Sequence, residues 1–312
     1  MNVVYKKPYN SFSLTVSDIH TIYIQEWGNP DGIPILYTHG GPGGEMKPKH
    51  TQFFDSEKHR LIMFDQRGCG KSTPFGELRE NTIDDIVRDI EKIRQHLAIE
   101  AWNLFGGSWA TTVLLRYAQT YPAKVRAMIL RGVFFFREEE INWLYESGAA
   151  SIFPEFWEVF EAPIPNEYSK NNIDFYKEEI LEKELPDQNI VKHFWCWEAG
   201  ISDVSDKNPE IDFPDEVTEL DILMAKLFLH YVKHKSFMKD GELLEKSAID
   251  KIRSIPTTLI HGRFDMVCPV KNAFDLHKVW PEMKLVIIPL GGHAAENPHM
   301  RKRLIKEIEN LR

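Results

Sequence analysis

Residues 102–119 read WNLFGGSWATTVLLRYAQ. A short strand pattern, Trp102-Asn103-Leu104-Phe105, runs into Gly106-Gly107-Ser108-Trp109-Ala110, and a helical pattern follows from Trp109 to Gln119, stopped before Pro122. Strand, tight turn, serine and helix in that order form the context of a nucleophile elbow, in which the turn lifts the hydroxyl clear of the sheet and small neighbours let strand and helix approach. The competing reading is that Ser108 merely caps the helix N-terminus. It asks for nothing else in the chain, whereas the elbow demands a base, an acid and an oxyanion hole. Ala110 stands where the motif usually has glycine, adding a methyl at the close strand–helix contact.

Outward from this stretch the same grammar continues. Ile33 to Thr38 and Arg60 to Phe64 read as buried strands, each ending in a glycine-rich turn. Thr82 to Leu97 has apolar residues at 83, 86, 87, 90, 93 and 97, the spacing of an amphipathic helix, with Thr82 as N-cap and Asp85 in an acidic first turn. Val125 to Leu130 is a further strand. Such alternation implies a mainly parallel sheet flanked by helices. From about Arg137 to Asp240 β-branched runs vanish and helical patterns take over, among them EEINWLYESGAASI, IVKHFWCWEAG and ELDILMAKLFLHYVKH. Strands return at Thr257 to His261 and Lys284 to Pro289, with helices over 270–279 and from about 298. The expected organisation is an α/β core over 1–136 and 241–312, with a helical cap over 137–240. Ligands in open α/β sheets bind beyond the carboxyl ends of the strands, so a cap inserted there would roof the site.

Composition sets the outer limits. Hydrophobic residues make up 43% and charged residues 27% of the 312, which excludes disordered and fibrous classes. Thirty-eight Lys and Arg against 47 Asp and Glu give a net charge of −9, arguing against nucleic acid or an anionic membrane as partner. Cys69, Cys196 and Cys268 are odd in number and far apart, with neither a disulfide framework nor zinc spacing. The opening MNVVYKKPYNSFSLTV lacks the apolar core of a signal peptide, and no run of ~18 apolar residues occurs. These features lead to the expectation of a soluble protein of a reducing compartment, the cytoplasm.

A serine needs a base oriented by a third group. In this fold order the acid comes next and the histidine last, each after a late strand. Asp265 follows the strand at 257–261, in His261-Gly262-Arg263-Phe264-Asp265, and His293 follows the last strand, in Gly291-Gly292-His293. Of twelve histidines, only His293 stands just past a terminal strand in a glycine-rich turn. Asp275 is a rival acid but falls within a predicted helix. The oxyanion hole needs two backbone N–H groups. One is expected from Trp109 and the other from Gly41, in the His39-Gly40-Gly41-Pro42-Gly43-Gly44 turn after the strand at 33–38. A phosphate cradle is excluded there, because the glycine spacing fits neither phosphate-binding motif. Asp65 to Ser72 is read as a structural turn, with Arg67 paired to a carboxylate. No metal-ligand cluster or organic cofactor is called for.

HGGPGG (39–44), DQRGCGKS (65–72), GGSW (106–109), LRGVF (130–134), FWCWE (194–198), GRFDMVCP (262–269) and GGH (291–293) together resemble the proline iminopeptidases, α/β-hydrolases that remove N-terminal proline. The resemblance spans nearly the whole chain, including NWLYESGAASIFPEFWEVF (142–160) in the cap. It implies a triad of Ser108, Asp265 and His293 with an oxyanion hole of Gly41 and Trp109. It further implies that Glu198 binds the substrate amine, that Phe134 lines the proline pocket and that Cys268 lies beside it. A second amine-binding glutamate of the family sits in a segment resembling A-R-I-E-N-H-Y-F. The register adopted here places Lys233 at that glutamate, and Leu144 replaces an aromatic residue common in the family. These departures keep open an esterase or amidase acting on a small acyl substrate without a free amine.

Overall fold

The computed structural model describes residues 7–202 and 216–312. Eight strands form one sheet: β1 (Asn10–Thr15), β2 (Thr21–Gly28), β3 (Ile33–Thr38), β4 (His59–Phe64), β5 (Trp102–Ser108), β6 (Val125–Val133), β7 (Thr257–Gly262) and β8 (Lys284–Ile288). Their order is β1-β2-β4-β3-β5-β6-β7-β8. From β4 to β8 every pairing is parallel, while β1 and β2 form an antiparallel hairpin whose second strand joins β4 antiparallel. That hairpin is absent from the sequence reading, although Ile22, Ile24 and Glu26 alternate inward along β2.

Alternation along the central strands divides the core. Leu36, Ile62, Leu104 and Leu130 pack on one face with α1 (Ile83–His96) and α2 (Trp109–Thr120). Ile35, Leu61, Phe105 and Ile129 pack on the other, against Met300, Leu304 and Ile308 near the chain end. Successive side chains of a strand point to opposite faces, so a strand covered on both sides must be apolar throughout.

The start of α1 follows its sequence. Thr82 Oγ1 accepts from Asp85 N at 3.2 Å, and Asp85 Oδ2 accepts from Thr82 N at 3.1 Å, a capping box that satisfies two end donors. Arg67, in the turn after β4, holds this helix. Its Nε and Nη2 donate to the two carboxylate oxygens of Asp89 at 2.6 and 2.8 Å, with both side chains buried. Arg67→Ala leaves the Asp89 carboxylate buried without its partner. The expected loss is about 3–5 kcal/mol of unfolding free energy, read from urea midpoints. A loss under about 1 kcal/mol would place the pair among surface ion pairs in its effect.

Between β6 and β7 every element formed by the described residues is helical: α3 (Glu138–Tyr145), α4 (Pro154–Glu161), α5 (Asn172–Tyr176), α6 (Gln188–Gly200), α7 (Glu219–Lys233) and α8 (Lys246–Ile249), with short 3₁₀ and π turns and connecting loops. After β7 come α9 (Val270–Val279) and α10 (Pro298–Ile308), on either side of β8. Aromatic contacts join the inserted helices to the sheet. Trp109 packs against Tyr231 of α7 at 4.6 Å and Phe136 at 5.4 Å between ring centroids, and Phe136 reaches Phe228 at 6.2 Å.

Candidate active site

Ser108 ends β5 with φ 60° and ψ −133°, a left-handed conformation that a non-glycine residue adopts at a cost. The strained turn sets the serine between strand and helix. Ala110 fits the close contact because position 106 is glycine: a Cβ there would fall 2.7 Å from the Ala110 methyl. Trp109 is the first residue of α2, so its backbone N–H has no partner within the helix.

Asp265 and His293 meet beyond the ends of β7 and β8. His293 Nδ1 lies 2.9 Å from Asp265 Oδ2 and 3.0 Å from Oδ1. Cys268 N donates to Asp265 Oδ1 at 2.7 Å, fixing the carboxylate. Asp265 is buried, which alone would raise its pKa, but the His293 charge and hydrogen bond hold it below the usual carboxylate range. An ionised carboxylate on Nδ1 keeps the proton on that nitrogen and leaves Nε2 as the basic atom. Gly132, with φ 55°, permits the approach of β6: a Cβ there would lie 3.0 Å from Asp265 Oδ2 and 3.4 Å from the His293 ring. The rival Asp275 sits in α9 and binds Arg137 and Lys271, away from this pair.

The glycine turn is braced from behind. Gln66 N donates to His39 Nε2 at 3.1 Å, and Gln66 Nε2 donates to the His39 carbonyl at 2.9 Å. Trp109 Nε1 donates to Gln66 Oε1 at 2.9 Å. Burial lowers the His39 pKa, so the ring is neutral, with Nδ1 against the Gly40 carbonyl at 2.8 Å. One network therefore ties the turn that holds Gly41 to the side chain of Trp109. Gly40 also approaches the elbow, since a Cβ on it would be 3.7 Å from Ser108 Cβ.

A cavity of about 180 Å³ gathers most of these groups. Gly41, Ser108, Phe134, Glu198, Cys268 and His293 all line it. Its volume lies below the roughly 300 Å³ at which pockets for drug-sized ligands begin, so it suits one small residue. Phe134 is held by α2, whose Thr112 Oγ1 donates to its carbonyl at 2.7 Å and whose Thr111 Oγ1 accepts from its N–H at 3.0 Å. The Cys268 thiol lies against the Ser108 side chain, and burial with the nearby Asp265 charge pushes its pKa well up. Cys268, Asp265 and His293 offer ligand-type atoms within 4.8 Å of one another. A protonated thiol and an imidazole nitrogen engaged by Asp265 make a poor donor set for a metal.

Glu198, on α6, reaches the same cavity. Burial pushes its pKa up to about 7, against a hydrogen bond from Tyr145 Oη that pulls it down. Leu144 lines the cavity too. Of the tryptophans on the helices between β6 and β7, Trp197 is wholly buried and Trp143 donates to the Met266 carbonyl at 2.7 Å, but Trp195 opens onto the pocket.

The sequence register at α7 needs correction. Lys233 is exposed at the end of the helix and bonds Glu182 at 2.6 Å, so it puts no cation into the pocket. Phe228, five residues earlier, lines the cavity instead. Starting the A-R-I-E-N-H-Y-F segment at Ala225 aligns its histidine and tyrosine with His230 and Tyr231 and its glutamate with Phe228. The signal was present in those two identities. A second group not foreseen is Arg131, whose Nη1 lies 3.3 Å from His293 Nε2 and donates to the His293 carbonyl at 2.6 Å. The sequence held no clue to which end of the sheet its side chain would serve.

A family described as the alpha/beta hydrolase fold matches residues 33–159. The chain is 42% identical over 309 residues to the Arabidopsis thaliana protein named proline iminopeptidase, covering 98% of this chain and 80% of that protein. It is 43% identical over 307 residues to a Leptolyngbya boryana protein named probable proline iminopeptidase, covering 97% and 94%. Among solved structures, an aryl esterase described as putative from Burkholderia cenocepacia superposes with TM-score 0.62 at 17% identity, covering 96% of this chain and 98% of that one; likeness at that identity speaks for the fold alone.

Proposed function

Because the chain belongs to the proline iminopeptidase family of α/β-hydrolases, we propose that it is a serine aminopeptidase that releases N-terminal proline, or another small residue, from short peptides. The observation that carries this reading is one residue-sized cavity holding a nucleophile, a carboxylate-oriented imidazole edge and a buried acid. Ser108 Oγ attacks the carbonyl carbon of the N-terminal residue while His293 Nε2 takes its proton. Gly41 and Trp109 N–H groups receive the oxyanion. The proton on Nε2 passes to the leaving amine as the C–N bond breaks, and water, activated by the same histidine, releases the acyl group. Phe134, Leu144 and Phe228 offer an apolar wall for a proline ring. The described residues within 137–240 act as the cap, supplying Leu144, Glu198 and Phe228. Three buried cysteines, none of them in a disulfide, suit a reducing compartment such as the cytoplasm.

Glu198 supplies the negative charge for the substrate ammonium. It is the one carboxylate among the described residues lining this cavity. Phe228 at the second glutamate's position leaves that charge unaided, which favours the alternative of an esterase or amidase for acyl groups without an amine. Hydrolysis of proline β-naphthylamide, alanine β-naphthylamide and a short-chain p-nitrophenyl ester separates the two. The proline amide is expected to be cleaved with the highest kcat/KM. Turnover of the ester alone would overturn the aminopeptidase reading.

The same panel gives a pH test. A carboxyl with pKa of about 7 is largely neutral at pH 6 and ionised at pH 8. Ammonium binding therefore strengthens as pH rises through 7. KM for proline β-naphthylamide is expected to fall over that interval, and the ester, lacking an amine, shows no matching fall. In Glu198→Gln the fall should vanish and KM for the amine substrate should rise by about tenfold or more, the scale of a lost charged hydrogen bond.

A further inference from the structure

A second cavity, of about 360 Å³, also reaches His293. Met224 and His293 line both cavities, so the two adjoin at these residues. The first cavity takes the acyl residue. The second is where a leaving group would go, since the leaving nitrogen must receive its proton from His293 Nε2. Tyr37, Lys47, Lys49, Gly107, Arg131 and Glu296 are among the residues lining it.

The cations in it are not equivalent. Lys47 is paired with Glu45 at 3.2 Å, and Lys49 with Glu296 at 3.0 Å, with both lysines and Glu296 exposed and Glu45 partly so. Arg131 is partly buried and has no carboxylate oxygen within 4.0 Å among the described residues. Its guanidinium lies across the elbow itself. A Cβ at Gly107 would fall 2.4 Å from both Nε and Nη2, so glycine at 107 is what lets the fork rest there. An unpaired guanidinium 3.3 Å from Nε2 has a further effect. When His293 takes the serine proton, two like charges face each other, which opposes proton uptake. An anion on Arg131 would remove that opposition.

We propose that Arg131 is a specificity-determining residue that binds the α-carboxylate of the leaving amino acid, so that the preferred substrate is a dipeptide with a free C-terminus. In a dipeptide the carboxylate sits on the carbon bonded to the leaving nitrogen. A nitrogen placed at Nε2 therefore brings its carboxylate within reach of a guanidinium whose Nη1 is 3.3 Å from Nε2. The planar fork suits bidentate binding of a carboxylate. A tripeptide carries its carboxylate one residue farther out, by up to roughly 3.3–3.6 Å, beyond the same grip. The bonds broken and formed are those of the acyl transfer already described: C–N breaks, Ser108 Oγ–C forms, and the serine proton leaves on the amine. Arg131 holds the departing amino acid while this happens.

The inference rests on the aminopeptidase reading, and the test keeps the two apart. Prolyl-alanine, prolyl-alaninamide and prolyl-alanyl-alanine are compared by kcat/KM with the wild-type chain and with Arg131→Gln. The wild type is expected to prefer the free dipeptide over its amide by about 10- to 100-fold, the range of a charged hydrogen bond, and to prefer it over the tripeptide. Arg131→Gln should bring the acid-to-amide ratio to near 1. Each ratio is internal to one preparation and unaffected by partial loss of folded enzyme. Should Arg131→Gln fail to fold, product inhibition of the wild type decides: alanine should inhibit at a lower concentration than alaninamide. A wild-type ratio of 1 or less, a ratio unchanged in Arg131→Gln, or equal inhibition by the two products would overturn the inference while leaving the aminopeptidase intact. Hydrolysis of none of the three peptides would overturn both.

Discussion

Ser108→Ala is expected to lower kcat on proline β-naphthylamide by about 10⁵–10⁶-fold, the scale seen when the nucleophile of a serine triad is removed. The substitution keeps the Cβ and deletes only the hydroxyl, so the turn at φ 60° and the packing around it persist. What vanishes is the covalent route. Any residual rate above water would come from Gly41, Trp109 and substrate positioning, which together sustain about 10³–10⁴-fold in comparable sites. A fluorophosphonate probe gives a second readout, since it should label the wild-type chain at Ser108 and leave the variant unlabelled. Labelling elsewhere, or a variant within tenfold of wild type, would sink the assignment of the nucleophile.

Asp265→Asn is expected to cost about 10⁴-fold in kcat. The amide is nearly isosteric, and its oxygen can still accept from Cys268 N, so the loop stays in place. Its NH₂ group, however, would face His293 Nδ1 as a donor. The ring would respond by accepting at Nδ1 and carrying its proton on Nε2, where it cannot take the proton of Ser108. The loss is thus a tautomer effect rather than a folding effect. It should show as an unchanged urea midpoint beside a collapsed kcat. An Asp265→Asn enzyme within about tenfold of wild type would leave His293 without need of an orienting acid and would reopen the assignment.

Both variants test positions that are legible in the sequence, and the reason is physical. The elbow, the two late turns and the glycine loop lie at strand ends, where local chemistry is strong: apolar runs break at glycine, and the helix after Ser108 begins at once. Continuous apolar runs and period-3.6 patterns then fix the order of the central strands and helices. Position along the chain orders Ser108, Asp265 and His293 without any coordinates. The pocket wall is different. Phe228 belongs to an apolar helix, ELDILMAKLFLHYVK, where one aromatic looks like another until the packing of α7 on the sheet chooses which faces inward. A register anchored five residues too far along exchanged a cavity wall for a surface lysine. Arg131 is hidden in another way. It lies in a strand between apolar residues, and its use depends on Gly107, a neighbour across the β5–β6 pairing. The β1–β2 hairpin escapes a reading built on apolar runs because its apolar residues alternate with Ser, Thr, Tyr and Gln.

The aromatic contacts between Trp109, Phe136, Tyr231 and Phe228 also bear on engineering. Helical insertions in hydrolases invite exchange, as if substrate range were a cartridge to be swapped on a constant core. Here Trp109, whose amide is proposed to receive the oxyanion, is wedged against α7, and Phe228 of the same helix continues to Tyr145 at 5.9 Å, the partner of Glu198. A chimaera that imported another insertion without matching those rings would change the floor of the site along with its roof. Transplanting specificity into this chain therefore means carrying Phe136 and the inner face of α7 as one block with the donor helices.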